Sequence, residues 1–130
     1  MKYIFILNTK KILIALVFLS LSIVAHAQNV NIPDANFASW INSNYPGFMY
    51  GNNLDTSQYY LTTVLSISLY GLQIADLTGI KYFSNLKTLD VSFNLLTTLP
   101  TLPNTLKNLN CQHNLISTIG NLPNPLLTLT

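Results

Sequence analysis

Apolar residues recur at a fixed interval through the second half of this chain. Leu86, Leu89, Val91 and Leu96 are spaced as are Leu106, Leu109, Cys111 and Ile116, twenty residues later. Asn94 and Asn114 hold the same place in each stretch, so both read LxxLxLxxNxL. Running backwards, Val64, Ile67, Leu69 and Ile74 fit the same frame, with Leu72 where the asparagine would be. Running forwards, Leu126 and Leu129 open another unit. Leu77, Leu99 and Ile119 agree at a further offset, and Ile80, Leu102 and Leu122 at another. The units are therefore 64–85, 86–105, 106–125 and a truncated 126–130. Along a strand alternate side chains point to opposite faces, so Leu89 and Val91 are expected to face inward. Each unit is predicted to be one short strand with a return arc, and stacking the units buries leucines that no single unit can bury alone.

The same alternation predicts an outward set: Ser66, Ser68 and Tyr70; Thr88, Asp90 and Ser92; Asn108, Asn110 and Gln112; then Thr128 and Thr130. Asn94 and Asn114 are expected to turn the chain after each strand, their amides satisfying backbone groups that burial would leave unpaired. Leu72 interrupts this structural asparagine ladder, and a neighbouring cap is expected to fill the gap. Pro100, Pro103, Pro123 and Pro125 forbid a regular helix in the later arcs and favour an extended path, whereas Leu77–Phe83 has room for a helical turn.

Ahead of the repeats, Phe37, Trp40 and Ile41 fall at i, i+3 and i+4, one face of a helix. Pro33 ends the preceding segment and Asp34 is a plausible N-cap. The segment 28–63 is expected to be an N-terminal cap over the first repeat's apolar edge. Earlier still, Lys10 and Lys11 precede the apolar run Ile12–Val24, followed by Ala25-His26-Ala27. A basic start, a short apolar core and small residues at −3 and −1 define a secretory signal peptide, 1–27, with cleavage after Ala27. A membrane span needs about 20 apolar residues, and extending the run back to Tyr3 crosses both lysines, Thr9 and Asn8. No integral membrane span is expected after signal removal. The protein is expected to be bacterial, and secreted or at the cell surface.

The repeat resembles the leucine-rich repeat family, whose period is about 20–29 residues. The resemblance implies a leucine-rich repeat solenoid: an α/β-type right-handed superhelix of short parallel strands, a mostly extended convex side and a small N-terminal helical cap. The runs Ile32–Phe37, Tyr45–Phe48 and Gly51–Thr56 are similar to the N-terminal cap of secreted bacterial members. Such members often carry cysteines near positions that here hold Phe48 and Gln58, so the cap disulfide of the resemblance is not expected.

Charge narrows the functional classes. Of the 6 Lys+Arg, all are lysines and three lie in the first eleven residues; the 4 Asp+Glu are all aspartates. Once the signal is removed, Lys81, Lys87 and Lys107 face Asp34, Asp55, Asp76 and Asp90, for a net −1. Nucleic-acid binding requires clustered Lys and Arg, so no nucleic-acid partner is expected. Paired-carboxylate catalysis lacks material, and no HExxH, GxSxG or glycine-rich phosphate loop occurs. Cys111 is expected to be a small buried hydrophobe and His113 a partly exposed edge residue; two such groups do not make a metal site that normally takes four ligands. Asn52, Asn53 and Asp55 lack the carboxylates and terminal Glu of a calcium loop. Catalytic residues, metal and cofactor are all expected to be none.

What is left is a binding module. Its candidate face is the polar outward set, Ser66 to Gln112, which the resemblance places on the concave side, and the partner is a protein or a glycan. A merely solvated face has the same composition. The alternative is a structural spacer, the N-terminal part of a longer adhesin-type surface protein. The sequence stops five residues into a strand, so its uncapped C-terminal edge is expected to self-associate, and isolated 28–130 to oligomerise, aggregate or unfold easily.

Overall fold

The computed structural model describes residues 29–130; the signal peptide expected at 1–27, with its expected cleavage after Ala27, lies outside the described residues. The chain enters through β1 (Asn29–Asn31), followed by α1 (Ala35–Asn44), β2 (Met49–Tyr50) and β3 (Asn53–Asp55). These three strands form an antiparallel sheet in the order β1-β3-β2, with Leu54 of β3 opposite both Val30 and Met49. Gly51, at φ 60, opens the two-residue loop between β2 and β3, where the twist of a tight hairpin calls for a positive φ. Helix α1 begins because Asp34 takes an extended conformation and its carboxylate accepts the Phe37 N–H at 2.9 Å. That bond satisfies one of the amides that an α-helix leaves open at its start. Phe37, Ala38 and Ile41 are buried, while Trp40 is only half-buried at the margin of that apolar stripe.

The second sheet is parallel and follows chain order: β4 (Ser66–Ser68), β5 (Thr88–Asp90), β6 (Asn108–Asn110) and β7 (Thr128–Leu129). Its register aligns Ile67, Leu89, Leu109 and Leu129 across the four strands. Parallel neighbours require a crossover of a dozen or more residues. Here the crossovers are irregular apart from a 3₁₀ turn at Ile80–Tyr82.

These observations correct the expected fold class. An α/β-type right-handed solenoid repeats one strand-and-arc unit through the fold. The described residues hold instead two small sheets of different kind, three antiparallel strands and four parallel ones, and a single α-helix that sits beside the first sheet. The physical reasons are local. Asn29–Asp55 pairs its backbone within itself, and the proline-rich crossovers lack the consecutive N–H donors that a helix spends on its own turns.

Both parts drain into one apolar core. Ile32, Phe37 and Leu54 from the N-terminal part join Ile67, Leu69, Leu77, Phe83, Leu89 and Val91 from the strands and arcs of the parallel sheet. Gly79 is one place where they approach closely. It is buried with φ 104, and a Cβ there would collide with Ile32 Cδ1. Backbone pairing continues past the strand ends: Leu69 N–H donates to Asp90 at 2.7 Å, Gly71 to Ser92 at 3.1 Å and Phe93 to Gln112 at 3.0 Å.

The candidate binding face and its aromatic column

The outward residues of β4, β5 and β6 line up in rows. Ser66, Thr88 and Asn108 share one row, which Thr128 extends, and Ser68, Asp90 and Asn110 share the next. Ser66, Ser68, Asn108 and Thr128 are exposed, and Thr88, Asp90 and Asn110 are half-buried. Within the first row Asn108 Nδ2 reaches Thr88 Oγ1 at 3.4 Å. Tyr70 and Gln112, beyond the strand ends, are exposed, as is Thr130.

Ser92 departs from the expected outward set. It is only 2% exposed, because Asp90 Oδ1 accepts both its N–H (2.9 Å) and its hydroxyl (2.6 Å) and folds it under the turn. The same local device recurs at Asn110, whose Oδ1 accepts the Gln112 N–H at 3.2 Å, and at Asp55, whose Oδ1 accepts from Ser57 Oγ at 2.6 Å. Short acidic and amide side chains favour such turns by bonding to the backbone two residues on. At Asp55 the hydrogen bonds from Ser57 and Gln58 hold the carboxyl below its ordinary range, against the opposing effect of burial.

Beneath the face lies the asparagine ladder. Asn94 Oδ1 accepts the Ile74 N–H at 2.9 Å, and its Nδ2 donates to the carbonyls of Leu69 (2.8 Å), Val91 (2.9 Å) and Ser92 (3.2 Å). Asn114 repeats the pattern one unit later, accepting from Leu96 N–H at 3.0 Å and donating to Val91 at 2.9 Å and Cys111 at 3.0 Å. Leu72 cannot do this for the first unit. There Asp34 Oδ2 accepts the Ala75 N–H at 2.7 Å and Asn36 Nδ2 donates to the Gln73 carbonyl at 3.2 Å. Asp34 therefore both caps α1 and ties it to the first arc. Among the described residues no buried side-chain nitrogen or oxygen is left without a partner.

The residue pattern did not reveal the column of rings at one end of the rows. Tyr70 and Phe93 lie 5.1 Å apart, tilted by 50°, and Phe93 stacks on His113 at 4.1 Å and 26°. Phe93 and His113 adopt φ 57 and 52, the left-handed region, where the matching residue of the first unit is Gly71 at φ 68. Gly71 has no ring to give, and Tyr70, one residue earlier, supplies it. A signal was present in retrospect, since an aromatic or His precedes the ladder asparagine in both full repeats. A second run of rings joins Trp40, Tyr45, Phe48, Tyr60 and Tyr59, with successive centroids 5.8, 5.7, 6.2 and 6.2 Å apart. Phe48 thus contributes a ring stack, and Gln58 a 2.7 Å bond to Asp55, at the two places where the resemblance would put a disulfide.

Cys111 is free and half-buried, and its surroundings push the thiol's pKa up by desolvation. Among the described residues, no group of three or more His, Cys, Asp or Glu side chains comes together, and no helix is long and apolar enough to cross a membrane. A groove of about 410 Å³ opens between the proline-rich arcs, lined by Leu99, Pro100, Leu102, Asn121, Leu122 and Pro123 among others, away from the polar rows. Compared with known proteins, the chain matches no family model and no curated protein sequence at a significant level.

Proposed function

We propose that this chain is an exported, non-catalytic binding module of the leucine-rich repeat kind, meeting a protein or glycan partner through the polar rows of its parallel sheet. The observation that carries the reading is the in-register alignment of Ser66, Thr88 and Asn108 beside Ser68, Asp90 and Asn110. Such alignment offers a repeating set of donors and acceptors on a rigid support. Asn, Ser and Tyr are residues that antibody binding loops favour, the first two for adaptable hydrogen bonds and the last for rigid contact area.

Parallel strands lie about 4.8 Å apart, so four span only about 15 Å. A stable protein interface wants roughly 800 Å² per partner, which the rows alone do not reach; neighbouring surface must contribute. The test presents the full chain to a glycan array and to a surface pull-down. Capture abolished by introducing negative charge into the rows, as in Asn108→Asp with Ser68→Asp, is the expected result. Blank outcomes in both formats would overturn the proposal.

A further inference from the structure

Phe93 and His113 hold a backbone conformation that is costly for any residue with a Cβ, and the glycine at the matching place shows that the turn itself needs no ring. The rings pack on one another, but burial repays them only in part. Phe93 is 48% exposed and its neighbour Tyr70 58% exposed, so apolar surface that folding normally removes from water stays in it. Strain and exposure thus coincide in one column, which is where ligand clamps are found.

What surrounds the column specifies the ligand. The rows that run up to it are hydroxyls and amides, and their one charged member, Asp90, has an oxygen already engaged by Ser92. No lysine stands in the rows to attract an anion. An extended peptide would take its main-chain bonds from an open strand edge, whereas these rows lie on the face of the sheet and offer side-chain groups. Pyranose rings match the arrangement: their C–H faces pack on aromatic rings, and their rims of hydroxyls bond to Asn, Ser and Thr groups, which both donate and accept. Resting on the binding-module reading, we infer that Tyr70, Phe93 and His113 form the stacking platform of the site and that its ligand is an uncharged polysaccharide.

The experiment is affinity gel electrophoresis of the full chain in gels containing mixed-linkage β-glucan, galactomannan or dextran, with polygalacturonate as the charged counterpart. At least one neutral polysaccharide is expected to retard the chain and polygalacturonate is not. Phe93→Gly is expected to weaken retardation on the order of tenfold, the loss of one good contact, while its melting midpoint stays level or rises because glycine accepts the left-handed turn. Phe93→Tyr, which keeps a ring on the same backbone, is expected to lose far less than Phe93→Gly. Should Phe93→Gly lose both binding and thermal stability, Tyr70→Ala decides, since Tyr70 carries no positive φ; retained binding there overturns the inference. Retardation by polygalacturonate alone, by no polysaccharide, or equally for parent and Phe93→Gly also overturns it. If neutral polysaccharides fail while the pull-down still depends on Asn108 and Ser68, the binding-module reading stands and only this inference falls.

Discussion

Removing the Asn94 side chain puts a value on the ladder that holds successive arcs together. Asn94 is 5% exposed and serves four backbone groups, but they do not depend on it equally. The Val91 carbonyl also accepts from Asn114, so it keeps a partner in Asn94→Ala. The Ile74 N–H and the Leu69 carbonyl lose the partner that Asn94 supplied. A buried backbone group left unpaired costs about 1–3 kcal/mol, which for two such groups puts the substitution at roughly 2–6 kcal/mol. That is a large share of the 5–15 kcal/mol on which a typical domain relies. Urea unfolding followed through Trp40 fluorescence measures it as a fall in the midpoint at unchanged slope. Asn114→Ala should cost less, because Asn114 is only half-buried and water reaches its partners. Exposed Asn121→Ala should cost less than about 0.5 kcal/mol. Asn94→Asp adds a sign test: a carboxylate there faces carbonyl oxygens, so its folded pKa is raised. Stability is then lost as pH rises from the unfolded value of about 3.9 through the folded one. Equal effects for Asn94→Ala and Asn121→Ala, or Asn94→Asp losing stability on acidification, would refute the ladder argument.

Other predictions concern single contacts. Gly79→Ala combines a left-handed φ with a collision against Ile32, and is expected to destabilise by roughly 2–4 kcal/mol in the same unfolding assay. Asp34→Ala removes bonds to Phe37, Ala75 and Asp76 together, so it should exceed a simple cap deletion and reach roughly 2–3 kcal/mol; a loss below about 0.5 kcal/mol, within the noise of surface substitutions, would show the link to the first arc to be idle. Asp55 has a folded pKa lowered mainly by Ser57 and Gln58. Its contribution is complete above the unfolded value of about 3.9 and is lost as pH falls from there through the lower folded value. Asp55→Asn should therefore flatten the acid limb of a melting-temperature profile, and an unchanged limb would count against that role.

Much of the sheet was legible in the residues because its information is local and repeated. A twenty-residue spacing of Leu89 and Leu109, with polar residues at alternate places, reappears as strand register, since a one-residue slip would turn every leucine to solvent. Asp34 could be read as a cap because a helix start asks for a short acceptor side chain at one place. The outward assignment of Ser92 failed because alternation describes a strand, and Ser92 lies past the end of β5 in a turn shaped by Asp90. The ring column went unseen because it joins residues 23 and 20 positions apart through left-handed backbone that hydrophobic pattern does not encode.

The amino-acid sequence by itself therefore determined which residues are apolar and in what frame, and through them the pairing of β4 to β7 and the near-neutral polar rows between the leucines. Tertiary structure decided the rest: the separate antiparallel sheet, the use of Asp34 and Asn36 to complete an arc that Leu72 leaves open, the burial of Ser92, and the meeting of Tyr70, Phe93 and His113. The division has a physical cause. Side-chain alternation follows from backbone geometry within a few residues, whereas hydrogen bonds and ring stacks across 20 to 41 positions exist only once the chain has closed on itself.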